Sequence, residues 1–229
     1  MKKQFLIIGS NSAIGKEVFS LLRKEDYEVY TTSRTSFENP GRHLIIDNLS
    51  TFDNLDGLPD SLDGMLYCPG TITLKSIQRL QKEDLDRDLE VNFFGAFHAL
   101  KSLLPKLKNE NGASVVFITT VASNVGMPMH GSISAAKSAL HGFAISMAAE
   151  LAPRIAVNCV APSLTSSPMA EFLLSNEAKL QAAQDRHPLK QIGSPKNVAK
   201  IIELLLHAKD HGITGQTFNI DSGLSSLKT

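Results

Sequence analysis

The sequence predicts a single doubly wound α/β domain over residues 1–229, with a parallel sheet of about seven strands and helices on both faces. Three observations carry that expectation. Short apolar, β-rich runs alternate with longer segments of helical spacing along the whole chain. Strands joined by helices imply right-handed crossovers and a parallel sheet. A length of 229 residues suits one large domain, and an apolar share of 42% is enough for a sizeable core and argues against disorder.

Each element has its own local signal. QFLIIG (4–9) is an apolar run that stops at glycine, the pattern of a buried strand. AIGKEVFSLLRKE (13–25) sets Ile14, Val18, Leu21 and Leu22 at helical spacing. YEVYTTS (27–33), HLIID (43–47) and DGMLYCPG (63–70) read as strands. One long helix is expected over about 82–109, and the charged run KSIQRLQKEDLDRDLE (75–90) reads as a solvated helix face. ASVVFITT (113–120) is a strand, and SISAAKSALHGFAISMAAELA (132–152) is a helix with Ser132 as its N-cap. RIAVNCVAP (154–162) is a strand, SPKNVAKIIELLLHAK (194–209) a helix and QTFNI (216–220) the last strand. Residues 163–193 form the longest stretch between a strand and the next clear helix, and EFLLSNEAKLQAAQ within them reads as a mobile helical lid over a substrate.

Bulk chemistry narrows the function. Lys plus Arg number 23 and Asp plus Glu number 23, so the chain lacks the basic excess of a nucleic-acid or anionic-membrane surface. No stretch approaches a membrane span, and the apolar start of the chain is too short for a secretory signal. Two cysteines, Cys68 and Cys159, sit in apolar runs and read as small buried residues of a reducing, cytoplasmic compartment. His207 and His211 are four apart but lack a third ligand, so no metal site is expected.

The first strand-to-helix junction, IIGSNSAIGKE, is a candidate phosphate loop. Gly9, Ser10, Asn11, Ser12, Ile14 and Gly15 would let backbone N–H groups close on a pyrophosphate at a helix N-terminus. At the end of the second strand, a ribose 2′-hydroxyl wants an acidic partner and a 2′-phosphate an arginine. The chain has Arg34 in TTSRTS and no acid before Glu38, which favours NADP(H) over NAD(H). Asp47, ending the third strand, is a candidate acceptor for an adenine amino group or a cap for the next turn.

Taken together these motifs resemble the short-chain dehydrogenase/reductase family along nearly the whole chain. IGSNSAIG is similar to the family's TGxxxGxG, with Ile8 and Ala13 departing. CPGT (68–71) stands where the family carries NNAG. EVNFFGAF (90–97) resembles the segment of the catalytic asparagine, which assigns that role to Asn92. FITTVASNVGMP (117–128) resembles the segment of the catalytic serine, matched by Thr120. NCVAPSLTSSPM (158–169) resembles NxxxPGxxxTxM, with Ser163 in place of glycine, and implies cofactor contacts at Pro162 and Leu164. ITGQTFNIDSG (213–223) resembles the terminal strand and turn.

The family's YxxxK becomes Ile133-Ser-Ala-Ala-Lys137, so the proton-transferring tyrosine is an aliphatic residue. Lys137 and Asn92 are retained for the ribose and for catalysis by this resemblance, and threonine donates the same hydroxyl bond as serine. A placed general acid contributes about 10²–10⁴-fold, so its loss slows turnover unless another group supplies the proton. His130, seven residues before Lys137, is the candidate substitute, with a loop histidine as the other reading. The resemblance therefore implies an NADP(H)-dependent oxidoreductase acting on a carbonyl, alcohol or enoyl group of a small molecule. An inactive dinucleotide-binding homologue, serving as sensor or partner subunit, is the alternative. It also implies a homodimer or homotetramer.

Overall fold

The computed structural model describes residues 2–39, 42–46, 48–49, 52 and 55–228. Strands β1 (Gln4–Ile8), β2 (Glu28–Ser33), β3 (His43–Ile45), β4 (Gly64–Tyr67), β5 (Ala113–Ile118), β6 (Ile155–Pro162) and β7 (Thr217–Ile220) form one sheet in the order β3-β2-β1-β4-β5-β6-β7. All the pairings are parallel. They are connected through helices α1 (Ala13–Lys24), α2 (Lys82–Leu89), α3 (Gly95–Leu107), α4 (Gly131–Leu151), α5 (Glu177–Asp185) and α6 (Pro195–Leu206). The predicted doubly wound α/β sheet of seven strands is what forms. Strand order reverses between β1 and β4, which opens a crevice at the carboxyl ends of those strands.

Alternation along each strand divides the core in two. Phe5 and Ile7 of β1 pack with Val18 and Leu22 of α1 and Val198 and Ile202 of α6. Leu6 and Ile8 face the other way, into a cluster with Leu103 of α3 and Leu140 and Ala144 of α4. Burying one such Leu, Ile or Phe side chain contributes about 1.5–3 kcal/mol, so a few per helix hold both layers on the sheet. Among the described residues no helix is long and apolar enough to cross a membrane.

Three local expectations are corrected. The long helix over 82–109 is interrupted: a wide π turn over Glu90–Phe94 separates α2 from α3, with the Gly95 N–H reaching back five residues to the Glu90 carbonyl. Tyr67, at the end of β4, donates its hydroxyl to the Val91 carbonyl at 2.7 Å, satisfying an acceptor inside the widened turn. Gly95 leaves room for that hydroxyl, which a Cβ there would strike.

Second, α4 starts at Gly131 with His130 as its cap residue, so Ser132 is not the N-cap. The Ser132 hydroxyl instead donates to the Asp84 carbonyl of α2 at 3.2 Å, joining the two helices where they pack. Third, the run 75–90 is not wholly a solvated face. Asp84 and Asp88, one helical turn apart, are buried. Each is matched by donors: Lys75 for Asp84, at 2.7 and 2.8 Å, and Thr71 and Thr73 for Asp88. The stretch 163–193 contains a short 3₁₀ turn, Pro168–Leu173, and α5, so helical segments do lie there.

Candidate active site

The phosphate loop leaves β1 at the crevice. Gly9 has φ +79°, a left-handed conformation that glycine adopts without a Cβ penalty, and a Cβ there would sit 3.0 Å from Pro69. At Gly15 a Cβ would lie 2.7 Å from the Gly9 carbonyl oxygen. Neither position accepts a side chain, so bare backbone faces the start of α1. Ser12 caps that helix, its hydroxyl accepting the Gly15 N–H at 3.0 Å. Ser10 is buried with its hydroxyl 3.3 Å from the Thr32 carbonyl, and Ile14 packs on the α1 and α6 face of the core. Asn11 turns away from the helix to the loop after β2, within 3.1 Å of the Ser33 hydroxyl and 2.8 Å of the Thr35 hydroxyl. The cradle fits the pyrophosphate of a dinucleotide: Gly9 and Gly15 leave the backbone uncovered by side chains of their own, and it ends on a helix N-terminus.

Arg34 comes directly after β2, is exposed, and forms no ion pair among the described residues. Asp47 lies outside the described residues.

Further along the rim, Asn92 and Lys137 come together around Gly70. A Cβ on Gly70 would lie 3.2 Å from Asn92 Oδ1 and 3.9 Å from Lys137 Nζ. The π turn carries Asn92, which is 0% exposed. Its Nδ2 donates to the Asp88 carbonyl at 2.8 Å and lies within 3.1 Å of the Thr71 hydroxyl. Its Oδ1 is a buried oxygen with no hydrogen-bond partner among the described residues, an acceptor held open on the side of the lysine.

Lys137 extends from α4 and donates to the Ile118 carbonyl at 2.6 Å. Burial lowers its ammonium from the ordinary lysine value to about 8, opposed by Cys68, Cys159 and Asp88. Burial also pushes both cysteine thiols up to about 12, so they stay neutral near pH 7. Asp88 is the remaining acidic group of that set. Asp88 is 0% exposed, accepts from the Thr71 hydroxyl at 2.7 Å and from the Thr73 N–H at 3.2 Å, and sits one turn before Asn92 on the same helical face.

Thr120 comes after β5 and starts a 3₁₀ turn over Val121–Ser123, its hydroxyl accepting the Ala122 N–H at 3.3 Å. Ser134 of α4 donates to the Ala122 carbonyl at 2.9 Å, which fastens the first turn of α4 to the turn that Thr120 begins. Ile133 lies between Ser132 and Ser134 and is 5% exposed.

His130 has φ −94° and ψ 13°, outside the helical conformation, though its carbonyl accepts the Ser134 N–H. Its Nδ1 lies 2.8 Å from the Pro128 carbonyl. A carbonyl only accepts, so Nδ1 carries a proton and Nε2 is the free nitrogen.

Pro162 ends β6, and Leu164 accepts the Gly193 N–H at 2.8 Å, joining that exit to the segment before α6. Between them Ser163 bonds to buried His187 Nε2 at 3.0 Å, while His187 Nδ1 donates to the Ala183 carbonyl at 2.7 Å. Sequence reasoning missed this link and the placement of Asp88. The only signal for the second was its spacing of four from Asn92.

Comparison with known proteins leads in the same direction. A family model described as enoyl-(acyl carrier protein) reductase matches residues 48–225. The chain is 34% identical to the 3-oxoacyl-[acyl-carrier-protein] reductase FabG of Thermotoga maritima over 147 residues, 64% of this chain and 59% of that protein. It is 30% identical over 242 residues to the 3-oxoacyl-[acyl-carrier-protein] reductase of Synechocystis, covering 96% and 95% of the two chains. Among solved structures, the ligand-free aldohexose dehydrogenase AldT of Thermoplasma acidophilum superposes with a TM-score of 0.88 at 23% identity, covering 100% of this chain and 97% of that one. ElxO with NADP bound gives 0.88 at 24% identity, covering 99% and 100%. With the sheet order, the glycine cradle and the Asn92–Lys137 pair, the family match over most of the chain leads to one conclusion: this chain belongs to the short-chain dehydrogenase/reductase family of oxidoreductases.

Proposed function

We propose that the chain is an NADP(H)-dependent oxidoreductase of a carbonyl, alcohol or enoyl substrate whose proton comes from a group other than tyrosine. The observation that carries this reading is the buried pair at the rim: Lys137 held on the Ile118 carbonyl, with the open Asn92 Oδ1 beside it. A bound dinucleotide supplies or accepts the hydride. The backbone of Gly9 and Gly15 holds its pyrophosphate, Arg34 meets its 2′-phosphate, and Pro162 and Leu164 line its nicotinamide side. Lys137 binds its ribose hydroxyls, and Thr120 holds the substrate oxygen. The names of the relatives support a carbonyl of an acyl thioester as substrate.

Ile133 takes the place of the family's tyrosine, four residues before Lys137, and it has no proton to give. His130 is the proposed donor. Because Nδ1 is bonded to Pro128, delivery runs from Nε2 of the protonated ring. The buried aliphatic Ile133 also favours a second reading, a dinucleotide-binding homologue without turnover.

The two separate in one set of measurements: NADPH-dependent thermal stabilisation, and NADPH oxidation with 3-oxoacyl and enoyl thioesters. Oxidation that falls in His130→Ala and rises by about 10²–10⁴-fold in Ile133→Tyr supports the enzyme. Stabilisation with no oxidation across the panel supports the inactive homologue. Neither effect rejects both readings.

A further inference from the structure

Building on the NADP(H) reading above, we propose that His43 is a positioning residue that sets the preference for a 2′-phosphorylated dinucleotide. It would do so by fixing the loop that presents Arg34. Four observations converge on that loop.

The ring of His43, at the start of β3, spans from the strand interior to the loop. Its Nδ1 lies 3.0 Å from the hydroxyl of Thr31, a residue buried in β2. Its Nε2 lies 3.1 Å from the Thr35 carbonyl and 3.3 Å from the Ser33 hydroxyl. A carbonyl only accepts, so Nε2 carries a proton and donates to Thr35, while Nδ1 lies beside the Thr31 hydroxyl. One imidazole therefore ties a buried strand residue to the backbone immediately after Arg34.

The loop is gripped from the opposite side by Asn11, whose amide lies 2.8 Å from the Thr35 hydroxyl and 3.2 Å from the Ser36 carbonyl. Asn11 belongs to the phosphate loop, so the two nucleotide-facing segments share this bond. Below them, buried Asn39 donates to the Val29 carbonyl at 2.8 Å and lies 3.2 Å from the Thr31 hydroxyl, closing the far end of the loop. Phe37 packs between Phe19 of α1, with ring centroids 4.9 Å apart, and His43 itself, at 5.9 Å. At the start of this held segment stands Arg34, exposed and without an ion pair among the described residues.

A cation on a loop ordered in advance binds an anion with less conformational entropy lost than one on a free loop. Without His43, the Thr35 carbonyl and the Thr31 hydroxyl lose their shared partner, and Arg34 loses its fixed base. The pyrophosphate cradle rests on Gly9, Gly15 and the α1 N-terminus, none of which bonds to His43. The loss therefore falls on the 2′-phosphate contact.

Isothermal titration of the purified protein with 2′,5′-ADP and with 5′-AMP tests this without any turnover. Wild type binds 2′,5′-ADP at least ~10-fold more tightly than 5′-AMP, as expected for an added phosphate–arginine contact. His43→Leu loses most of that ratio, while 5′-AMP affinity changes by less than about twofold. His43→Gln, whose amide can donate to Thr35, restores it. Thr31→Val, which removes the hydroxyl that orients the ring, lowers the ratio in the same direction and keeps the test open should His43→Leu not fold. An unchanged ratio in the His43 and Thr31 variants overturns the inference, as does an equal weakening of both nucleotides. Wild type binding both nucleotides equally instead rejects the NADP(H) reading itself, and the inference with it.

Discussion

The two ends of the crevice are built on opposite principles. At the β1–β3 end, backbone and polar side chains already bond to one another: Ser12 to Gly15, Asn11 to Thr35, His43 to Thr31. At the β4–β6 end, polar groups are buried and left partly unanswered: Lys137 is lowered to about 8, Asp88 has no solvent exposure, and Asn92 Oδ1 has no partner among the described residues. Binding a phosphate needs shape and N–H dipoles, which survive near water. Moving a proton needs groups whose ionisation is displaced by burial, and these cost stability in the free protein. The first end should therefore fail through sterics and the second through pH.

The steepest loss is expected at the first end. Gly15→Val pushes a side chain onto the Gly9 carbonyl and the Ser12 hydroxyl, 2.7 and 2.9 Å from the Cβ position. Dinucleotide binding should weaken by at least ~100-fold in calorimetry, with a stability loss of about 1–3 kcal/mol from overpacking. Full-strength binding would mean that the cradle is not where the pyrophosphate lies.

Lys137→Met probes the second end. The folded value lies below that of a free lysine, so the unfolded chain binds more protons between the two, and stability rises with pH across that window. Near pH 7 the buried ammonium costs the fold roughly 3 kcal/mol, and the variant should unfold at correspondingly higher denaturant. The gap should narrow as pH rises through about 8 towards 10.5, the folded and free values of Lys137. The difference between the two proteins matters here, because Cys68 and Cys159, with raised values, act in the opposite sense at alkaline pH. A gap that does not move with pH would place Lys137 in a wetter site than its burial implies.

Asp88→Asn should have the smallest effect, about 1–3 kcal/mol of destabilisation as the Thr71 and Thr73 bonds weaken. Its more specific signature is a downward shift in the pH at which the Lys137→Met gap begins to close, measured in that background. No shift would show that Asp88 does not act on Lys137.

Legibility in the sequence divides along the same line. The glycine turn after β1 and most of the strands and helices around it are local patterns, and the structure forms them; Arg34 stands exposed after β2, and its contact with a 2′-phosphate is a proposal. Asn92 and Lys137 are marked by their resemblance to the family's motifs, and the structure places both around Gly70. The second end depends on contacts between residues far apart in the chain, which no local pattern encodes. Asp88 sits in a run of charges that reads as solvated, and only the packing of α2 on α4 shows it is buried. Ser163 meets His187 across 24 residues. The break in the long helix was equally hidden, because every residue in EVNFF tolerates a regular helix. The widening answers to Tyr67 on a distant strand.

That widened turn has a further consequence for how such a chain can change. A π turn accommodates one residue more than the regular spiral, and each residue rotates the next part of the rod by about 100°. Deleting Glu90 or Val91 would let the rod close into an unbroken coil while swinging Asn92 to a different bearing relative to α2. Substitutions in this stretch can be absorbed one at a time, but a shortened version would leave the lysine facing an unfamiliar neighbour.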